Sequence, residues 1–208
     1  MINKELQKRI LSSIILLPLA LYFIMTGSFY LIFFTIICFF VSIYEWNKMV
    51  KKNELKFLGT LFLTFSFYTF YETSIFFNSW IFVLLICVST DIGGYVFGKL
   101  FKGPKLIKIS PNKTYSGMIG GYLLSLIFLS FFANWIDFIV TKEWFFVTIL
   151  ISTVSQIGDI IISYYKRLSK VKDTGKIIPG HGGLLDRIDG MIFAFPIYYI
   201  VNLLGYLT

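Results

Sequence analysis

The chain has 208 residues, of which 57% are hydrophobic and only 14% are charged, and its mean hydropathy is +0.78. A soluble domain carries about 25% charged residues, so long apolar runs with few charges exclude a soluble globular protein and predict an integral membrane protein. Alternation with the period of a β-strand is absent, which predicts an all-α helix bundle rather than a barrel, and the net charge of +8 fits either a cytoplasmic loop bias or an anionic partner.

Seven apolar segments follow one another along the chain, and each predicts a membrane-spanning helix, which needs about 20 residues. They run over 10–26, 29–46, 57–71, 75–98, 114–133, 144–165 and 188–206. The first is predicted to be a retained helix, because no small-residue cleavage site of a signal peptide follows it. The third is short enough to be re-entrant, and polar residues at 89–91 interrupt the fourth.

The basic residues predict the orientation of these segments. If all seven cross, 18 of the 19 Lys and Arg residues lie on one side and only Lys142 lies opposite. The positive-inside rule makes that side cytoplasmic. We therefore expect a multi-pass protein of the inner (plasma) membrane with a cytoplasmic N-terminus. Residues 1–80 are predicted to be scaffold helices, and residues 81–208 of the same continuous membrane domain are predicted to carry the chemistry.

The fourth segment contains an acidic residue at an unusual place. Asp91 within a span costs about 2.5–3.5 kcal/mol, so it should face a polar cavity or a cation, unless it is hydrogen-bonded within its own bundle. Tyr95 lies one helical turn later on the same face. Gly94 and Gly98 form a small-residue ridge that lets another helix approach closely.

The loop before the fifth segment contains a second polar group. Residues 110–112 (Ser-Pro-Asn) predict a turn leading into a helix, which puts Lys113 and Thr114 near a helix N-terminus. Backbone N–H groups and a Lys at such a place can hold phosphate, although a simple capped loop explains the pattern equally well. Gly117 and Gly121 repeat the small-residue packing motif.

The stretch 163–189 gathers basic residues, a Pro-Gly-His-Gly-Gly turn and two aspartates. Asp159 precedes it and shares a helix face with Ser163. Asp186 and Asp189 are three residues apart at the predicted start of the seventh helix, which would place them about 5–6 Å apart. Carboxylates converging from two helices repel one another unless they hold a cation, and their oxygens suit Mg2+. We therefore predict a magnesium site here; the alternative is a solvated cytoplasmic loop.

The remaining polar residues of this stretch suit phosphate groups. The glycines permit close backbone approach to a ligand. His181 is the only histidine, and it either donates a hydrogen bond to phosphate or caps the turn. For a role toward phosphate we favour hydrogen bonding over proton abstraction, because a phosphate nucleophile is already ionised near neutral pH and needs no strong general base. Four basic side chains can neutralise phosphate charge: Lys166, Arg167, Lys172 and Arg187.

These residues resemble the signature of the CDP-diacylglycerol synthases, or phosphatidate cytidylyltransferases. The matching positions are Ser163, Lys166, Arg167, Lys172, Asp173, Gly175, Pro179, His181, Gly182, Gly183, Asp186, Arg187 and Asp189. The segments that contain Asp159, Asp91 and Ser110 also resemble that family. The resemblance covers about residues 80–206, whereas the preceding part matches only as generic membrane helices.

The resemblance implies a reaction and a set of roles. In this family CTP and phosphatidic acid give CDP-diacylglycerol and pyrophosphate, a step of phospholipid biosynthesis. It implies Mg2+ bound by Asp159, Asp186 and Asp189, with Lys166, Arg187 and His181 as further catalytic residues. It implies substrate binding by Asp91, Tyr95, Ser110, Lys113, Thr114, Ser163, Arg167, Lys172, Asp173, Gly182 and Gly183.

Partners follow from the same resemblance. We expect CTP from the cytoplasm, phosphatidic acid from the bilayer and no nucleic acid. Glycine-rich helices favour a homodimer. The number of metal ions, and whether a monovalent cation assists, stays open.

The sequence departs from the family pattern at several places. Tyr165 stands where an aliphatic residue is usual, Ile162 where a Glu is frequent, and Tyr115-Ser116 where Trp-Glu is common. These changes leave the three predicted metal ligands intact and leave open how the substrate is positioned. The chain is also short for the bacterial members.

Two other functions are compatible with parts of the pattern. A related CTP-dependent transferase, such as a polyprenol kinase or an archaeol cytidylyltransferase, would keep the metal cluster and change the acceptor. An ion-coupled transporter would use Asp91 and Asp159 to carry ions or protons. Transporters place such groups between repeated halves, and no internal repeat is visible in this sequence.

Overall fold

The computed structural model describes residues 18, 21–107, 110, 113–136, 139–178 and 182–206. Within these ranges the chain is helical, and the only β-structure is a pair of isolated bridges. The helices are α1 (Ser28–Met49), α2 (Asn53–Ser74), α3 (Phe77–Phe101), α4 (Tyr115–Ile136), α5 (Lys142–Leu168), α6 (Leu185–Ile188) and α7 (Met191–Leu203). Residues 21–26 are helical as well. The prediction of an all-α membrane protein is confirmed.

Four of these helices are long and apolar enough to cross a membrane. They are α1 from Phe29, α3, α4 and α5. The 22-residue α2 has a length of about 33 Å at about 1.5 Å per residue, but it is not among the four, and α7 is a shorter apolar helix. Six of the seven predicted segments thus coincide with helices, while most of 10–26 lies outside the described residues. The chain is a multi-pass membrane protein; seven crossings and a cytoplasmic N-terminus stay predictions.

Polar residues interrupt the apolar run of α3 without interrupting the helix. The hydroxyls of Ser89 and Thr90 donate to the carbonyl of Ile86 at 3.0 and 2.7 Å. Such bonds satisfy side chains inside a helix that has no water around it. Asp91 therefore lies on an unbroken helix, as its one-turn spacing from Tyr95 requires.

A two-residue turn divides the last predicted segment. Helix α6 ends at Ile188 and α7 begins at Met191. Asp189 lies in the turn, where its Oδ1 accepts the backbone N–H of Gly190 at 2.9 Å. A local bond of this kind competes with helical hydrogen bonding. Asp186 therefore lies on α6 and Asp189 between two helices, and the prediction that both begin one continuous helix is wrong.

The described residues form two compact units. One comprises the described part of Met1–Ile75 together with Tyr165–Ile188, and the other comprises Phe76–Tyr164 together with the described part of Asp189–Thr208. In the first unit α1 packs against α2 and α6. In the second unit α3 packs against α4 and α7. Helix α5 contributes residues to both.

An aromatic cluster forms the core of the second unit. Phe82 on α3 is fully buried, and its ring meets that of Trp144 edge-on at 5.0 Å. The rings of Phe132 and Tyr198 lie 5.3 and 5.9 Å from it. Aromatic pairs at such distances add about 0.5–1.5 kcal/mol each beyond the apolar area that they bury. The cluster therefore ties α3 to α4, α5 and α7.

Glycines let the backbones of α3 and α4 meet. A Cβ on Gly93 would lie 2.3 Å from the carbonyl oxygen of Gly120, and one on Gly117 would lie 2.6 Å from that of Gly94. No ordinary Cβ contact is so short, so the crossing requires glycine at these positions. The predicted close approach of another helix to the small-residue ridge of α3 is confirmed.

Candidate active site

A cavity of about 310 Å3 lies among α3, α4 and α5 in the second unit. Small-molecule sites enclose about 300–1,000 Å3, so this volume is at the lower end of that range. Six of the predicted site residues line it: Asp91, Tyr95, Ser110, Lys113, Thr114 and Asp159. The fold thus brings together polar side chains that are separated by up to 68 positions in the chain.

An ion pair crosses this cavity. Lys113 Nζ lies 2.6 Å from Asp159 Oδ2, and the hydroxyl of Ser163 donates to Asp159 Oδ1 at 3.2 Å. The predicted shared face of Asp159 and Ser163 is confirmed. The side chains of Lys113 and Asp159 are 22% and 34% exposed. An ion pair in contact with solvent contributes about 1 kcal/mol or less to stability, so a charged ligand can replace either partner at small cost.

The loop before α4 is fixed by backbone hydrogen bonds. Lys105 and Thr114 form an isolated antiparallel bridge, and the N–H of Leu106 donates to the carbonyl of Lys113 at 2.8 Å. Thr114 Oγ1 accepts the N–H of Gly117 at 3.1 Å, which is the bond of a helix N-cap. Lys113 therefore immediately precedes a capped helix. Two residues of the predicted turn, Pro111 and Asn112, lie outside the described residues.

A second polar cluster surrounds Asp186 in the first unit. Its Oδ1 accepts a hydrogen bond from Lys166 Nζ at 2.7 Å. Its Oδ2 accepts the N–H of Thr174 at 2.8 Å, the Thr174 hydroxyl at 3.1 Å and the N–H of Gly183 at 3.0 Å. The Lys166 and Asp186 side chains are only 12% and 6% exposed. This pair is therefore far less open to exchange than the Lys113–Asp159 pair.

These contacts set the charge of Asp186. Burial by itself would raise the pKa of its carboxyl. The hydrogen bonds from Lys166 and from the N–H groups of Gly183 and Thr174, together with the Lys166 charge, outweigh burial and hold the pKa below its ordinary value. Asp186 is thus a carboxylate at neutral pH.

Gly182 and Gly183, the described glycines of the turn, lie close to the same carboxylate. Gly182 has φ +87°, a left-handed conformation that glycine adopts without strain. A Cβ on Gly182 would lie 2.9 Å from Asp186 Oδ2, and a Cβ on Gly183 would lie 2.2 Å from Thr174 Oγ1. These glycines therefore let the backbone approach Asp186, and the close approach to a ligand that they were predicted to permit stays a prediction.

Comparison with known proteins identifies the family. The sequence matches the cytidylyltransferase family over residues 7–80 and 73–204. This chain belongs to the cytidylyltransferase family. The resemblance to CDP-diacylglycerol synthases that the signature residues indicated is thereby confirmed.

Curated relatives of this cytidylyltransferase-family protein carry the name phosphatidate cytidylyltransferase. Those of Staphylococcus saprophyticus subsp. saprophyticus and Staphylococcus haemolyticus are 38% identical to it over 164 residues, and that of Staphylococcus aureus (strain COL) is 39% identical over 164 residues. Each match covers 74% of this chain and 63% of the relative. The chain thus spans less than two thirds of the length of these relatives.

Several predicted residues of this family member lie at the surface or outside the described ranges. His181 lies outside the described residues. The side chains of Lys172, Asp173 and Arg187 are exposed. Arg167, at the end of α5, is exposed too, and its Nη1 donates to the carbonyl of Val171 at 3.4 Å. Their roles in substrate binding and catalysis stay predictions.

The magnesium prediction also stays a prediction. Among the described residues of this cytidylyltransferase-family chain, no three His, Cys, Asp or Glu side chains form a ready-made metal centre. Asp186 belongs to the first unit, whereas Asp159 and Asp189 belong to the second.

The departures from the usual family sequence have local explanations. Tyr165 packs edge-on against Trp46, with ring centroids 5.0 Å apart. Ile162 is 3% exposed and belongs to the core. The hydroxyl of Ser116 donates to the carbonyl of Lys102, and its oxygen lies 3.0 Å from the hydroxyl oxygen of Thr114. In this family member each of the three side chains thus packs or bonds within the fold.

Two residues escaped the sequence analysis. Gln156 lines the cavity one turn before Asp159, and its Nε2 is buried without a hydrogen-bond partner among the described residues. Its three-residue spacing from Asp159 in an apolar helix was the available signal. Glu45 on α1 is 1% exposed and accepts hydrogen bonds from the segment that surrounds Asp186. A lone acid within the span 29–46 was the corresponding signal.

Proposed function

We propose that this protein is a phosphatidate cytidylyltransferase, which transfers CMP from CTP to phosphatidic acid and releases pyrophosphate. Membership of the cytidylyltransferase family and the name of its relatives support the proposal. The observation that carries it is a cavity within a membrane protein that is lined by Asp91 and in which Lys113 pairs with Asp159. Packing of apolar helices does not require such a group of charges. Binding of a triphosphate and a phospholipid headgroup does require it.

The cavity residues match the demands of phosphoryl transfer. Such reactions depend mainly on positioning and electrostatic stabilisation, and they need little covalent chemistry from the protein. Lys113 supplies a compact positive charge next to the capped N-terminus of α4, and helix N-termini bind phosphate oxygens well. The phosphate of the lipid is itself an ionised nucleophile. A Ser or Cys nucleophile is therefore unnecessary.

The donors around Asp159 fit Mg2+. Two carboxylates, Asp91 and Asp159, and the hydroxyls of Ser110 and Thr114 line one cavity, and oxygen ligands are those that this hard cation prefers. Asp159 and Asp91 would hold the ion, which neutralises phosphate charge when bound. Lys113 would then be available for a phosphate oxygen. The ligand roles of Asp186 and Asp189, and any second, monovalent cation, remain part of the prediction.

The same proposal includes a location. The excess of basic residues on one predicted side supports an active site on the cytoplasmic side of a bacterial inner membrane. The cytoplasm is where CTP is found. The bilayer would supply phosphatidic acid. A homodimer remains a prediction, and its argument has weakened, because the glycines that suggested it pack α3 against α4 within one chain.

A direct assay tests the function. The full chain in lipid nanodiscs is given labelled CTP and phosphatidic acid, with Mg2+ or with EDTA, and CDP-diacylglycerol is measured by mass spectrometry. We expect product only with Mg2+ and phosphatidic acid. Parallel reactions with a polyprenol or with a phosphorylated archaeol-type lipid test the related transferases. Product from one of these alone would exclude phosphatidate as the acceptor.

A matched pair of variants tests the cavity. Asp159→Asn removes a charge that the cavity uses, and we expect turnover to fall at least about 100-fold, as for the loss of an electrostatic contact in a transition state. Glu143→Gln changes an exposed acid on the same helix and should retain turnover. Ordinary turnover by Asp159→Asn would refute the assignment of this cavity.

A further inference from the structure

We propose that Glu45 is a positioning residue, which holds Thr174, Leu184 and Leu185 so that Asp186 presents its carboxylate in a fixed direction. The inference rests on the proposed function in so far as Asp186 acts in the reaction. The family signature does not include Glu45, because it lies on α1, far from residues 163–189 in the chain. The side chain is 1% exposed.

Three donors from one segment satisfy this buried carboxylate. Oε1 accepts the N–H of Leu184 at 3.0 Å, and Oε2 accepts the N–H of Leu185 at 2.9 Å. Oε2 also lies 3.0 Å from the hydroxyl oxygen of Thr174. Leu184 and Leu185 immediately precede Asp186. Glu45 therefore fixes the backbone next to the residue whose side chain carries the second carboxylate.

Thr174 connects the two carboxylates. Its hydroxyl lies 3.0 Å from Glu45 Oε2 and 3.1 Å from Asp186 Oδ2, while its N–H donates to Asp186 at 2.8 Å. A hydroxyl has one hydrogen and can donate to one carboxylate at a time. Glu45 and Asp186 therefore share this donor, and a change at Glu45 alters the hydrogen bonding of Asp186 directly.

Glycines bring the segment close to Glu45. A Cβ on Gly175 would lie 2.4 Å from Glu45 Oε1, and one on Gly183 would lie 2.5 Å from Oε2. The side chain is thus enclosed by backbone that comes within hydrogen-bond distance. An amide in its place would direct an NH2 group toward N–H donors and leave at least one of them without an acceptor.

The first test uses hydrogen exchange on the full chain in detergent, without substrates. In Glu45→Gln the amides of Leu184 and Leu185 should lose protection at least about 10-fold, since both donate to the charged group that the substitution removes. Glu54→Gln, an exposed acid on α2, is the control and should leave this segment unchanged. Unchanged protection in Glu45→Gln would overturn the proposal.

The second test separates positioning from mere packing. We expect Glu45→Gln to lower kcat about 10- to 100-fold, as for one or two lost bonds to a charged group, and to change KM for CTP by less than about 3-fold. Loss of packing would lower the amount of folded enzyme and leave kcat per folded molecule unchanged. A kcat per folded molecule equal to that of the wild type contradicts the proposal.

A pair of substitutions at Thr174 tests the same contact without changing Glu45, so it does not depend on whether the Glu45 variant folds. Thr174→Ser retains the shared hydroxyl and should retain kcat, whereas Thr174→Val should lower it. Equal kcat for the two variants would overturn the shared-donor part of the inference. If the wild type makes no CDP-diacylglycerol, the proposed function fails, and hydrogen exchange still decides whether Glu45 fixes the segment.

Discussion

Replacing Gly93 by alanine is expected to loosen the crossing of α3 and α4 that frames the cavity. The new Cβ would lie 2.3 Å from the carbonyl oxygen of Gly120 and 2.9 Å from the Cα of Gly121. Carbon–oxygen contacts become comfortable at about 3.3 Å, so the helices must separate by about 1 Å. Only backbone atoms are this close, and no rotamer change can relieve the clash. Overpacking then costs about 3 kcal/mol, of which the helix propensity of alanine returns about 1 kcal/mol.

The neighbouring glycine provides a matched control. A Cβ on Gly94 would find its nearest atom, the carbonyl oxygen of Gly117, at 3.9 Å. Gly94→Ala should therefore melt at or above the wild type, whereas a net loss of about 2 kcal/mol should lower the Tm of Gly93→Ala by about 4–8 °C. Thermal unfolding in one detergent measures both. A Gly93→Ala protein that melts at or above Gly94→Ala would refute the close-approach argument.

Three further predictions concern the charged clusters and the aromatic pair. The pKa of Asp186 lies below its ordinary value of 3.8, so its carboxylate stabilises the fold above that pH, and the contribution is lost as the pH falls through the lowered pKa. Asp186→Asn should therefore flatten the fall of Tm from about pH 5 downward. Lys113→Ala should lower kcat/KM for CTP about 10- to 100-fold through loss of a charge-assisted contact. Lys142→Ala, which removes an exposed charge, should leave kcat/KM unchanged. Equal kcat/KM values for the two variants would contradict the binding of phosphate by Lys113. Tyr165→Leu introduces the aliphatic residue that is usual in the family. It should lower the Tm by about 2–4 °C, because it removes the edge-on contact with Trp46, which contributes about 1 kcal/mol. An unchanged Tm would argue against a stabilising contact.

Helical periodicity and apolar runs predicted most of the fold. Long apolar stretches identified the helices, and i, i+4 spacing correctly placed Asp159 beside Ser163. Helix α2 begins four residues before its predicted apolar segment, because polar residues such as Glu54 extend its first turn without changing its hydropathy pattern. At the break between α6 and α7 the Asp189 carboxylate accepts the N–H of Gly190, a side-chain hydrogen bond that periodicity cannot reveal.

The contacts within the candidate site were harder to predict. Lys113 and Asp159 were each selected for their charge, but their pairing joins positions far apart in the chain and leaves no local pattern. The bond between Glu45 and Thr174 spans 129 residues, and although a lone acid in an apolar span stands out, the sequence does not indicate its partner. A single sequence therefore indicated which side chains carry charge and did not indicate which of them share a donor.

The bonds of Glu45 also constrain how the chain is made. Synthesis proceeds from the N-terminus, so this acid leaves the ribosome 129 to 140 residues before its three donors. During that interval the nascent first helix must keep its acid hydrated or protonated, because apolar lipid offers no substitute donor. A fragment that ends before residue 174 contains none of the three donors, so its Glu45 has to remain hydrated or protonated.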